Sequence, residues 1–66
     1  MTLIDLKKEF GTSYNFAMRT GLSHVNWVHW FNKYGYIPIE SQRKIEQLTN
    51  GALKASLDDL PKKGLK

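Results

Sequence analysis

Cysteine is absent from this 66-residue chain. That excludes a disulfide framework and the thiolate zinc sites that hold together many very small domains. Proline is scarce, with two residues, and the five glycines are dispersed, so there is no proline-rich spacer and no glycine-rich phosphate loop. Long apolar runs are missing too, the longest being a few residues against the ~20 that a membrane span needs. Acidic residues are few, six against ten Lys+Arg, which leaves a net charge of +4. The balance excludes an acidic tail and favours polyanionic partners. The opening Met1-Thr2-Leu3-Ile4-Asp5 lacks a basic stretch followed by an apolar one, so export is not expected and a cytoplasmic protein is.

What the chain does hold is aromatic. Two Trp, three Tyr and three Phe sit within a hydrophobic content of 41%, which argues against full disorder. A chain this short buries only ~60% of its unfolded surface, and each aromatic can bury ~150–250 Å², so these rings must supply much of one small core.

Helix start and stop signals punctuate most of the sequence. Thr2 with Asp5 three residues later fits a capping box, Leu3, Leu6 and Phe10 follow at helical spacing, and Gly11 supplies a stop. Thr12 and Ser13 offer a second N-cap, Phe16, Ala17 and Thr20 line one face, and Gly21 closes that helix. Ser23 caps a third helix running from His24 to about Lys33. In it Trp27, Trp30, Phe31 and Tyr34 fall at i, i+3, i+4 and i+7 and predict one broad inward aromatic face, with Gly35 as the stop. Pro38 suits the first turn of a fourth helix, which Ile45 and Leu48 continue inward to Asn50-Gly51. Residues 52–60 fit a short helix, a 3₁₀ turn or an extended arm. No period-two strand pattern is sustained. The expectation is an all-α domain of four to five short helices over residues 1–60, with a basic, disordered tail at 61–66.

Residues 13–33 carry the strongest functional signal. Two short helices flank Gly21-Leu22-Ser23, a turn tight enough to force a steep angle. Ala17 stands four before the glycine where the helices approach, and Leu22, Trp27 and Trp30 can fill the wedge. This is the spacing of a helix-turn-helix, although helical hairpins with a central glycine also occur in plain bundles. With the aromatic stripe inward, Val25, Val28, His29 and Asn32 face outward, with His24 at the leading end. Two valines with a histidine and an asparagine are odd for a face that meets only water. They suit base edges, since valine methyls meet thymine methyls and His and Asn offer donors and acceptors. The alternative is that one valine packs on the fourth helix or a loop. Thr12, Ser13 and Tyr14 open the second helix, where free N–H groups and hydroxyls suit a phosphate. Lys33, Arg43, Lys44 and the lysines of 62–66 can add charge or lie solvated, and Arg19 fits either a phosphate or a carboxylate.

Taken in order, Glu9-Phe10-Gly11-Thr12, Ala17, Gly21-Leu22-Ser23, Trp30, Ile37-Pro38 and Ile45-Glu46-Gln47-Leu48-Thr49-Asn50-Gly51-Ala52-Leu53 resemble the small Cro repressors of lambdoid phages and the YdaS-like regulators and antitoxins of prophages. The likeness covers roughly residues 5–55 and rests on the combination rather than on any single motif. It implies a lambda-repressor-like helix-turn-helix domain acting as a dimeric transcriptional repressor on a short, pseudo-palindromic operator. Carried over by position, it implies base readout by His24, Val25, Asn26, Val28 and His29, and phosphate contacts from Ser13, Tyr14, Asn32 and Lys33. The sequence departs from that pattern at Thr20, usually apolar, at Trp27, usually smaller, and over Asn32–Tyr36, which is a little longer.

A domain this small makes few contacts, so a homodimer, formed weakly in solution or on double-stranded DNA, is expected. Leu53, Ala55, Leu57 and Leu60 are the candidate dimer contacts. His24 and His29 stand ~140° apart around a helix and cannot share a metal, so no metal site is expected. No catalytic spacing accompanies the Ser, His and Asp residues, and Asp58-Asp59 reads as a turn or helix start, so neither an enzyme nor a cofactor is expected. Two other readings stay open. One is a protein-interaction module or antitoxin-like regulator docking through Val25 and Val28 or through Leu53, Leu57 and Leu60. The other is RNA binding by the aromatic third helix.

Overall fold

The structure, a computed structural model, describes residues 1–61, so all of the tail expected at 61–66 except Pro61 lies outside the described residues. Among the described residues four α-helices form: α1 (Leu3–Phe10), α2 (Ser13–Thr20), α3 (His24–His29) and α4 (Ile39–Leu48). A π-helical turn, Trp30–Tyr34, continues α3, a 3₁₀ turn spans Leu57–Asp59, and no strand occurs among the described residues. The domain is all-α.

The first three helices begin where their side-chain caps require. Thr2 Oγ1 accepts from Asp5 N at 3.1 Å while Asp5 Oδ2 accepts from Thr2 N at 3.0 Å, a complete capping box. The Thr2 backbone N–H holds the exposed Asp5 carboxyl below the usual aspartate range, with the Thr2 hydroxyl adding to it. Thr12 Oγ1 accepts from Asn15 N, and Asn15 Nδ2 reaches back to the Phe10 carbonyl at 2.7 Å, fixing the step from α1 to α2. Gly21 turns left-handed, φ 77° and ψ 1°, a conformation that costs a side-chain-bearing residue ~1–2 kcal/mol. Ser23 Oγ then accepts from Val25 N to open α3.

The core is built on Phe16. Its ring meets Phe10 at 5.3 Å edge-on, Trp27 at 5.4 Å and Trp30 at 5.7 Å, centroid to centroid. Leu6, Ile37 and Ile45 complete it, all fully buried, with Leu3, Leu22, Phe31 and Leu53 packed at its edge. Thr20, polar where the wedge calls for an apolar residue, is buried without an orphan. Its hydroxyl donates to the Phe16 carbonyl at 2.7 Å and accepts from Leu22 N at 3.1 Å, so it braces the turn.

Two expectations about faces and one about a helix start are corrected. Tyr34, placed inward by the 3.6-residue period, is 46% exposed. The helix widens to i→i+5 bonding before it ends, Gly35 N donating to the Trp30 carbonyl at 2.8 Å, and the extra residue in the turn rotates Tyr34 outward. Leu48 is 49% exposed, because the inward stripe of α4 runs through Gln42, Ile45 and Thr49 instead. Pro38 is the N-cap of α4 rather than its first residue.

The polar member of that stripe is a hub. Gln42 is fully buried, and its Oε1 accepts from the Met1 ammonium at 2.9 Å and from Ser56 N at 2.8 Å. Its Nε2 donates to the Ile37 carbonyl. The same ammonium donates to the Lys54 carbonyl at 2.9 Å and pairs with Asp59 Oδ2 at 2.7 Å. Glu46 Oε1 takes the Ala55 N–H at 2.8 Å. Of the conformations open to residues 52–60, the structure adopts a bent arm ending in one 3₁₀ turn, lashed to α4 and Met1.

Candidate nucleic-acid interface

With Trp27 and Trp30 buried, the outer side of α3 is set. His24, Val25, Asn26, Val28 and His29 are all exposed, and Asn32 and Lys33 on the π turn are exposed with them. Val25 at 44% and Val28 at 39% are open to solvent. One helical rod thus presents two branched apolar side chains, two imidazoles and two carboxamides, with a lysine at its far end. Such a face offers hydrogen-bond donors and acceptors between methyl groups, the mixture that distinguishes base pairs in a major groove.

Tyr34 joins this face although the helical period hid it. Its ring lies 6.3 Å from that of His29 and 5.9 Å from that of Tyr36. The signal in the sequence was the extra length over Asn32–Tyr36. Met18 was also missed: it is 66% exposed, one turn beyond Tyr14 at 71%, so α2 carries a large exposed pair at i, i+4.

At the opening of α2, Thr12 and Tyr14 are exposed and Ser13 is half-buried. The Thr12 hydroxyl accepts from Asn15 N as the cap, which leaves the Ser13 and Tyr14 N–H groups without a partner inside the helix. Arg19 takes the carboxylate alternative. It bonds the Glu9 carboxylate and carbonyl, each at 3.0 Å, and lies 4.7 Å over the Phe10 ring. Arg43 and Lys44 on α4 remain exposed.

The four candidate dimer residues are not equivalent. Leu53 packs against the core, Ala55 and Leu60 are half-buried, and Leu57 is 57% exposed. Among the described residues no three His, Cys, Asp or Glu side chains gather to hold an ion, and no helix is long and apolar enough to cross a membrane. Comparison with protein-family models, with curated proteins and with solved structures finds no match to this chain.

Proposed function

We propose that the chain is a sequence-specific, double-stranded-DNA-binding transcriptional repressor of the Cro type, acting in the cytoplasm of a bacterial host. In this reading α3 enters the major groove, where His24, Val25, Asn26, Val28 and His29 read bases. Ser13, Tyr14, Asn32 and Lys33 meet phosphates, and Thr12 holds the α2 cap that presents the first-turn N–H groups to one. Two copies span one pseudo-palindromic operator, with Leu57 the most available of the four dimer residues.

One observation carries the reading: the exposed side of α3 is made of Val, His and Asn, not of the Lys, Glu and Gln that a merely solvated helix carries. Selection of bound sequences from random duplex DNA, followed by a salt titration on the winner, tests it. A palindromic consensus with steep salt dependence is expected. His29→Ala should cost ~1–3 kcal/mol on that site and relax preference at one position, while Lys33→Ala weakens all sequences alike. No enrichment would overturn the reading and leave the protein-interaction one, to which the exposed valines also lend themselves.

A further inference from the structure

A second surface, on α1 and Phe31, uses none of the residues assigned to DNA. Leu3, Ile4, Lys7, Lys8 and Phe31 enclose a groove of about 320 Å³, open to solvent on one side and almost wholly apolar inside. Ile4 is 68% exposed there, and Leu3 and Phe31 each give one flank to the core and the other to the groove. The volume is at the small end of the ~300–1,000 Å³ of ligand pockets and suits one large apolar group rather than a whole drug-sized molecule.

Charge decides what fits. Lys7 and Lys8 rim the groove, and neither forms an ion pair among the described residues. The two acids of α1 are engaged elsewhere, Asp5 by the Thr2 N–H and Glu9 by Arg19. Both lysines stand in the last turn of α1, where cations complement the carbonyl end of a helix. That accounts for their charge but not for an isoleucine left in water beside them. A second copy of the chain is a poor occupant, because a two-fold contact through this face brings four lysines together. The chain's own 62–66, Lys-Lys-Gly-Leu-Lys, carries the same sign.

We propose that this groove docks a short acidic segment of a partner protein, which seats one large apolar side chain between Leu3, Ile4 and Phe31 and sets Glu or Asp carboxylates against Lys7 and Lys8. The site shares no residue with the proposed DNA face, so it works whether or not that reading holds.

The test is an amide-resonance titration of the full chain with a short peptide alternating glutamate with leucine and phenylalanine. Saturable shifts confined to residues 3–8 and the neighbourhood of Phe31 are expected. Lys7→Glu with Lys8→Glu should lower affinity by about tenfold, since two part-exposed ion pairs are lost. The same variant should bind a peptide with lysine in place of glutamate, which a folding defect cannot mimic, and Ile4→Ser should weaken both peptides. Shifts centred on α3 would overturn the proposal, the peptide then acting as a mimic of DNA. So would indifference to the charge reversal, or binding of decanoate without the peptide.

Discussion

Phe10, Phe16, Trp27 and Trp30 meet ring to ring at 5.3–5.7 Å, whereas α4, Met1 and the C-terminal arm meet through a glutamine, a carboxylate and backbone carbonyls. The first region is held by buried apolar area, which is non-directional and scales with ring size. The second adds to the apolar packing of Met1, Ile45 and Leu53 a set of hydrogen bonds of fixed geometry whose loss leaves partners unsatisfied. The α2–α3 unit can therefore tolerate adjustment of its polar surface. The latch cannot exchange even one atom of Gln42 freely.

Mutation can break this contrast. The largest effect is expected from Trp30→Ala, which removes a ring in contact with Phe16 and should cost ~3–5 kcal/mol, enough to unfold so small a domain as followed by circular dichroism. Gln42→Leu keeps the volume but leaves Ile37 O and Ser56 N unpartnered and strips the ammonium of one acceptor. It should cost ~1.5–3 kcal/mol in urea titration, with exchange at the Ser56 amide accelerating well before that in α2. If both regions loosened together, the two would be one cooperative unit and the contrast would fail. Gly35→Ala meets no atom within 4 Å, so its expected ~1–2 kcal/mol is purely the strain of φ 79° and should leave both regions equally destabilised.

Smaller still is Thr2→Ala, at ~1 kcal/mol from the lost cap. Asp5→Asn should cost less, and only over part of the pH range. Its carboxyl is held below its unfolded value, so the stability it adds is present above about pH 4. That increment is lost as pH falls through the lowered folded value. Melting curves of the variant and the parent should converge on acidification.

The two regions also differed in how far the sequence disclosed them. Caps and stops around Thr2, Thr12, Gly21 and Ser23 were legible because each satisfies a local rule within four residues. The inward placing of Phe16, Trp27 and Trp30 followed from periodicity. Tyr34 defeated the same reasoning, since one period was extended through a turn that has another. Gln42 was invisible because a glutamine on a helix reads as solvated, and only its bonds to Met1, Ile37 and Ser56 in the folded chain reveal otherwise. Of the candidate interface, the α3 face and the α2 opening could be written down from the helical wheel. Tyr34, Met18 and the withdrawal of Arg19 toward Glu9 needed the packed structure.

The π turn at Trp30–Tyr34 acts as a phase shifter in the chain. Everything before it, from His24 to His29, keeps the angular register of an ordinary helix, and everything after it is rotated by the added residue. A single-residue deletion there would restore ordinary helical bonding and still leave the tyrosine outside, because the position three residues past Trp30 in an α-helix also points away from the Trp27–Trp30 stripe. The turn thus absorbs an added residue locally, and the far edge of the exposed face keeps its tyrosine whether that residue is present or lost.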